Sequence, residues 1–274
     1  MDSITPKISV IIACKNTAKW FERCLLSIKN QTFQDFEIIV VDNFSNDGTF
    51  EIAQKYADLV LQIGPERCTQ FNLGFKHSKG EFIYRIGPDY ELEADVLQKC
   101  MDKINQGFDA LALHNRSVGG SIWAKVRYLE RESYRNSNEI VAVRFMKASV
   151  FKSAGMFDEN LVANEDFDLH KRIENAGFKW SHVDAIENHL GEPENILEVW
   201  NKFYYYGRTI GRYMKKNQDT SKKHITLFRP SFKKFYFELF KTPKLLLAFH
   251  VYFLVKGLAG ICGLLVGTPK NLKS

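Results

Sequence analysis

Cysteine chemistry is scarce in this 274-residue chain: Cys14, Cys24, Cys68, Cys100 and Cys262 are scattered without paired spacing. That excludes a thiolate zinc site and a disulfide framework as the organising device of the fold. Most of the five fall on predicted strand or helix faces and read as buried thiols of a reducing compartment. No apolar leader precedes the first strand, since Met1 to Lys7 is short and polar, so a signal peptide is not expected. Internal repeats and low-complexity tracts are missing too, which argues against a solenoid or a disordered chain. Acid is short in one place only. Residues 196 to 274 hold 3 Asp plus Glu against 15 Lys plus Arg, a balance of +12, whereas residues 1 to 195 carry −6 of the chain's net +6.

In place of acid, the tail holds aromatics. Trp200, Phe203, Tyr204, Tyr205, Tyr206 and Tyr213, then Phe232, Phe235, Tyr236, Phe237 and Phe240, are interleaved with its cations. A cationic side chain near an anionic leaflet gains about 1 kcal/mol and aromatic rings settle at the interface, so an interfacial segment is expected. Leu245 to Gly267 is the most apolar run and is long enough to span a bilayer. Against a simple span, a Lys at the centre costs about 2.5 to 3.5 kcal/mol on insertion, and Lys256 sits there. Glycines also crowd the second half. The run is therefore expected as a shallow or re-entrant hairpin with peripheral attachment; a packed hydrophobic subdomain or an oligomer interface is the alternative.

The first half reads differently. Ile8 to Ala13 forms a buried strand, and Cys14-Lys15-Asn16 turns into a helix whose apolar face is Trp20, Phe21, Cys24, Leu25 and Ile28. A second strand, Phe36 to Val41, ends at Asp42 and opens the polar loop 42–49. Further strands are expected at about 59–63, 81–86, 110–114 and 140–146, alternating with helices. Carboxyl ends of strands in such an open α/β sheet are where ligands bind. Farther on, Glu165-Asp166-Phe167-Asp168 opens a helix with the apolar stripe Leu169, Ile173 and Ala176, stopped by Gly177. Its first turn carries Glu165 and Asp166 where the helix dipole favours anions.

Val41 to Thr49, V-D-N-F-S-N-D-G-T, resembles the V-D-[DN]-x-S-x-D-[GN]-T segment of the family 2 glycosyltransferases, in which a strand near the N-terminus also ends in an Asn. The resemblance continues in order over about residues 7 to 190. Glu66-Arg67, Gln70, Asn72 and Gly74 are similar to the family's "ER..Q.N.G" segment. Gly80 to Tyr84 leads toward its Asp-x-Asp metal motif, and Gly155-Met156-Phe157-Asp158-Glu159 precedes the acidic helix as "G-x-F-D-E" does. One departure affects the chemistry: the Asp-x-Asp falls on Gly87-Pro88-Asp89, so the first carboxylate is missing.

The resemblance implies an α/β GT-A fold, a mainly parallel twisted sheet forming a catalytic domain over residues 1–195, with a helical, basic and aromatic membrane-associating extension over 196–274. It implies inverting transfer from a nucleotide-diphospho-sugar, with Asp166 as the general base and Glu165 or Asp168 orienting it or the acceptor. Asn16, Asp42, Asn43, Asp47, Arg67 and Asn72 would form the nucleotide pocket. A divalent cation, Mn²⁺ or Mg²⁺, would be held by Asp89 with His189, since an ion bridging phosphates needs few protein ligands. The basic aromatic tail points to a lipid-linked or glycan acceptor on the cytoplasmic face of a membrane, and a homo-oligomer is open. Two other readings remain: a non-catalytic nucleotide-sugar binder, because the first metal carboxylate is gone, and a nucleic-acid binder using the tail. The acidic first domain argues against nucleic acid as a partner.

Overall fold

The computed structural model describes residues 5–138, 140–226 and 230–267. The chain divides into two compact units. The first takes in residues up to His114, Ala142–Glu159 and Asp166–Asn188; the second takes in Asn115–Val141, Asn160–Glu165 and everything from His189. The second unit is thus larger than the tail after residue 195 that the sequence suggests.

The first unit runs β1 (Ile8–Cys14), α1 (Ala18–Lys29), β2 (Phe36–Asp42), α2 (Thr49–Tyr56), β3 (Leu59–Gln62), α3 (Arg67–His77), β4 (Phe82–Ile86), β5 (Tyr90–Leu92), α4 (Val96–Ile104) and into β6 (Ala110–Ser117). After α5 (Ile122–Ser133) of the second unit, it resumes with β7 (Phe145–Lys147), α6 (Ala148–Ser153), α7 (Glu165–Asn175) and β8 (Trp180–His189). Among the described residues, eight strands form one sheet in the order β3-β2-β1-β4-β7-β6-β8-β5. It is parallel across β3-β2-β1-β4 and turns antiparallel where β7 meets β4 and β6.

β1 is buried along its whole length, so its period-2 alternation serves two cores. Val10 and Ile12 face a layer with Phe21, Leu25, Leu97 and Met101. Ile11 and Ala13 face Phe71, Val150, Leu169 and Ile173. Trp20, expected in the first helix's apolar face, is only half-buried with the Lys19 ammonium over its ring, so the stripe narrows to Phe21, Cys24, Leu25 and Ile28. The strand expected at 140–146 shrinks to Phe145–Lys147. Val141 and Val143 are buried outside the ladder, so burial rather than strand pairing explains the apolar pattern there. β5 and β8 carry too few alternating apolar residues to be read from sequence.

The second unit holds α5, α8 (Ile196–Lys216), α9 (Ser221–Ile225), α10 (Lys233–Lys241) and α11 (Pro243–Val266). Val126, Val199, Phe232, Leu239, Phe249, Tyr252 and Phe253 form its core. The hairpin expected in the apolar run is overturned, because α11 is one continuous helix of 24 residues. Its glycines serve packing. A Cβ on Gly207 of α8 would lie 2.2 Å from the Gly260 carbonyl oxygen, and one on Gly263 would lie 2.2 Å from that of Tyr204. Small residues thus let two helical backbones touch, as in membrane helix pairs.

Lys256 is equally accounted for. Its ammonium lies 2.5 Å from Glu130 of α5 and over the rings of Phe203 and Phe253. Burial works against the charged form of Glu130, but Arg127 and Lys256 outweigh it and hold the carboxyl down to about 2. Beside this pair, Glu192 takes Arg131 at 3.2 Å, Arg127 at 3.4 Å and the Ser117 hydroxyl at 2.5 Å.

Candidate active site

Strands β2, β1 and β4 run parallel with β1 in the middle, so the loops after all three leave the same edge of the sheet. Strand order 3-2-1-4 reverses direction at β1, the switch point where such sheets open a crevice. Of the sequence-predicted residues, Asp42 closes β2 and Asn16, Asn43, Asp47 and Asp89 lie on these loops.

Hydrogen bonds freeze the loop after β2. The Asp42 carboxylate is fully buried and accepts from the Ser45 N–H at 2.9 Å, the Ser45 hydroxyl and the Gln62 amide at 3.0 Å. Burial and then the neighbouring Asp42 push the Cys14 thiol far up, so it stays neutral beside that carboxylate. Asn16, at φ 49°, accepts from the Asn46 N–H at 3.0 Å and gives its own N–H to Ser45 at 2.8 Å. Asp47 accepts from Ala18 and Thr49. Desolvation opposes its charge, but the Thr49 hydroxyl and these N–H groups win and hold its carboxyl below the usual range. Asn43 donates to the Pro65 carbonyl at 2.6 Å, fastening this loop to the one before α3. Asp42, Asn43 and Asp47 therefore shape the rim, while Asn16 stays exposed on it.

Phe44 is a residue that sequence reasoning missed. It is 63% exposed at φ 49°, an unusual backbone for a bulky side chain. Its ring stands on the rim because the bonds around it fix the backbone in that turn.

The segment Glu66 to Gly74 works mainly as a brace. Gln70 donates to the carbonyls of Cys14 at 3.0 Å and Val41 at 2.6 Å, tying the ends of β1 and β2. Asn72 accepts from the Phe157 N–H at 3.0 Å and donates to the Phe157 carbonyl and Glu159, so its amide is engaged inside the protein. A Cβ on Gly74 would meet Ile11 at 2.5 Å, which is why α3 seats so closely on β1. Arg67 is exposed at the start of α3.

In α7, Leu169 and Ile173 are buried as expected, whereas Ala176 is exposed because the helix ends at Asn175. Gly177 takes the left-handed stop at φ 78°. Asp168 is buried and holds Arg172 at 2.9 Å; Arg172 in turn donates to the Ala154 and Met156 carbonyls, pinning the turn before the helix. Glu165, the first residue of α7, is buried. Asp166, with its side chain 31% exposed, lies 3.7 Å from the buried guanidinium of Arg85 on β4. Arg85 itself lies over the Phe157 ring.

Sequence reading also missed Arg85 and its neighbour Arg144. Glu187 of β8 pairs with the Arg144 guanidinium at 2.9 Å and accepts from the Tyr84 hydroxyl at 2.6 Å. Burial opposes the Arg144 charge, but Glu187 outweighs it and keeps the guanidinium above its ordinary value. An Arg at an alternating strand position breaks the apolar pattern, and that was the available signal for Arg85. Asp166 is thus a half-open carboxylate oriented by a fixed positive charge.

For a metal, the described residues gather no group of three or more His, Cys, Asp or Glu. A resident all-protein cage is excluded among them; an ion shared with a diphosphate is not, since that needs only one or two protein ligands. Asp89 is half-buried in the turn between β4 and β5 and fits as a single carboxylate. In the second unit, His189 places Nδ1 3.0 Å from Glu192, an outer carboxylate of the kind that orients a ligating imidazole.

A mixed sheet, parallel only across β3-β2-β1-β4 and so less parallel than the sequence suggests, with polar loops at its switch point and an aspartate at a helix start, is a GT-A-type fold. The chain belongs to glycosyl transferase family 2, whose description matches residues 9–157, and is by that membership an inverting glycosyltransferase. Among curated relatives, it is 27% identical to glycosyltransferase AglE of Haloferax volcanii over 70% of each chain. It is 25% identical to the GalNAc(5)-diNAcBac-PP-undecaprenol beta-1,3-glucosyltransferase of Campylobacter jejuni, over 88% of this chain and 86% of that one. Solved structures share the fold. The mannosyltransferase PcManGT of Pyrobaculum calidifontis, in complex with GDP-Man and Mn²⁺, matches with a TM-score of 0.59 at 17% identity, over 94% of this chain and 74% of that one. S. aureus TarS 1–349 in complex with UDP-GlcNAc matches with a TM-score of 0.52 at 20% identity, over 74% and 66%.

Proposed function

We propose that the protein transfers a sugar, with inversion, from a nucleotide-diphospho-sugar to a hydroxyl or phosphate of a lipid-linked acceptor at the cytoplasmic face of a membrane, with Asp166 as general base. The observation that carries the catalytic part is the Asp166–Arg85 relation. A hydroxyl has a pKa far above 7, so its attack on the anomeric carbon requires a carboxylate poised to take the proton. Asp166 is accessible enough to reach it and too closely faced by Arg85 to wander.

In this reading the nucleoside lies along the rim after β1 and β2. Asn16 and the frozen loop 42–49 define the slot, Arg67 faces the anionic end, and the exposed Phe44 ring offers a stacking surface for the base. Asn43 and Asn72 hold that slot's walls in place. Asp89 would hold a divalent cation, which would offset charge on the leaving diphosphate. Asp166 takes the acceptor proton, with Glu165 fixing the first turn that carries it, and no covalent intermediate is required.

The lipid-linked acceptor is supported by the undecaprenol-linked substrate named for the Campylobacter relative and by the basic, aromatic second unit. A non-catalytic binder is disfavoured because the α7 carboxylates are present and set against fixed charge. The test is a thermal-shift screen of nucleotide sugars with and without Mn²⁺ or Mg²⁺, followed by turnover of the stabilising donor on a polyprenyl-diphosphate glycan. No stabilisation by any donor sinks the reading; stabilisation without transfer to the lipid-linked acceptor sinks its acceptor half.

A further inference from the structure

The apolar helix α11 has two different sides. At 100° per residue, Leu247, Leu254, Leu258, Ile261 and Leu265 fall within about 40° of one line, a stripe about 27 Å long. All five are exposed, Leu265 by 82% and Leu247 by 66%. Lys256 lies about 180° away from that line. On its side, Ala248, Phe249, Tyr252, Phe253, Ala259 and Gly263 are buried in the unit's own core. The charge that seemed to forbid contact with lipid therefore never faces it.

We propose that α11 lies in the plane of an anionic bilayer, with the Leu247–Leu265 stripe sunk among the acyl chains and the helix not crossing the membrane. This rests on the membrane reading above and gives it a geometry. Two observations favour lipid as the occupant. Where α10 leads into α11, the rings of Phe237 and Phe240 are exposed beside exposed Lys233, Lys241 and Lys244, which is the composition of an interfacial anchor and complements anionic headgroups. The second is the way α11 is held. To span, it would have to drag Arg127, Glu130, Arg131 and Glu192 of its packed neighbours into hydrocarbon, or leave them and expose Lys256 at mid-depth while taking from buried Glu130 one of its two cations. Lying flat, it keeps the Lys256–Glu130 pair and the Gly207–Gly260 contact intact and still covers its bare face.

The test uses the full chain with one protease-cleavable tag before Met1 and another after Ser274, in membranes of a bacterial host. Both tags are expected to be cut in inverted vesicles and protected in intact spheroplasts. Cleavage of the C-terminal tag in spheroplasts overturns the proposal in favour of a span. In parallel, the Leu254→Asp, Leu258→Asp double variant is expected to lose at least tenfold in flotation with phosphatidylglycerol-containing vesicles while keeping the donor-induced thermal shift. Wild-type flotation by that variant overturns the lipid-facing stripe. A folded wild type that stays out of vesicles as a dimer by light scattering assigns the stripe to a second copy instead. Failure of transfer to lipid-linked acceptors, with flotation and tag protection as expected, removes the acceptor assignment and leaves this geometry standing.

Discussion

Asp166 Oδ2 lies 3.7 Å from Arg85 Nη2, so the acidic helix α7 and the central strand β4 meet through one charged contact at the crevice. The two side chains differ in exposure: that of Arg85 is buried and that of Asp166 is partly open. A fixed cation behind a partly open carboxylate holds its orientation while one side stays open to an acceptor. Asp166→Asn should therefore lower turnover by about 10²-fold or more while donor binding stays near wild type, since a positioned base contributes about 10² to 10⁴. Single-turnover kinetics beside a donor titration measure both, and near-normal turnover removes Asp166 from the role.

Arg85 gives a second, separable effect. Arg85→Met removes the guanidinium that faces Asp166 and lies over the Phe157 ring, and a unit charge about 4 Å away contributes up to about 4 kcal/mol at the effective dielectric near a protein surface. Turnover should fall by roughly 10- to 100-fold, with the nucleotide-sugar affinity little changed. Equal loss in affinity and turnover would make Arg85 a donor ligand instead of a partner to the base.

The metal assignment stands on Asp89. Asp89→Ala and a chelator should both weaken donor binding, because the ion would bridge that carboxylate and the diphosphate. Isothermal titration of the donor in EDTA and in Mn²⁺ reads this directly. Identical affinities in the two buffers would assign the diphosphate to basic side chains.

The parallel strands and the helical tail were legible in the sequence and the long-range contacts inside each unit were not, for a physical reason. Buried parallel strands show as apolar runs at 8–13 and 36–41, each broken once by Ser9 or Glu37, and the polar loop at 42–49 has the composition of a constrained turn. Asn72, by contrast, is a polar residue whose motif looked like a ligand, yet its amide closes on Phe157 and Glu159; a sequence shows a hydrogen-bonding group without showing its partner. Lys256 misled in the same way. Its mate, Glu130, is 126 positions away, and only the packing of α5 on α11 brings them together. Arg85 went unnoticed because its partner comes from an element 81 positions on.

That distant pair also sets an acid response. Glu130 is held at about 2 in the folded protein against 4.5 unperturbed, so the folded state binds fewer protons between those values. The stability it contributes is fully present above about pH 4.5 and is lost as pH falls toward 2. Glu130→Gln should lower Tm at neutral pH and flatten the decline below pH 4.5. Parallel Tm curves for wild type and variant across that window would assign the acid loss to other carboxylates.

The contact between α8 and α11 offers the sharpest structural test, because neighbouring glycines should behave oppositely. A Cβ at Gly207 would meet the Gly260 backbone at 2.2 Å, and backbone cannot step aside as a side-chain tip can. A Cβ at Gly211, one turn on, would meet only Leu264 Cδ1 at 3.6 Å, an ordinary contact. Gly207→Ala should therefore destabilise the second unit by about 1 to 3 kcal/mol through overpacking. Gly211→Ala should be neutral or stabilising by up to about 1 kcal/mol, since alanine restricts the unfolded chain and favours helix. Gly260→Ala, whose Cβ meets nothing within 4 Å, should resemble Gly211→Ala even though it lies at the same crossing as Gly207. Chemical denaturation of the three variants in one buffer separates the cases. If Gly260→Ala is as damaging as Gly207→Ala, the crossing is tighter on both sides than this geometry allows, and the small residues act through helix flexibility instead of close approach.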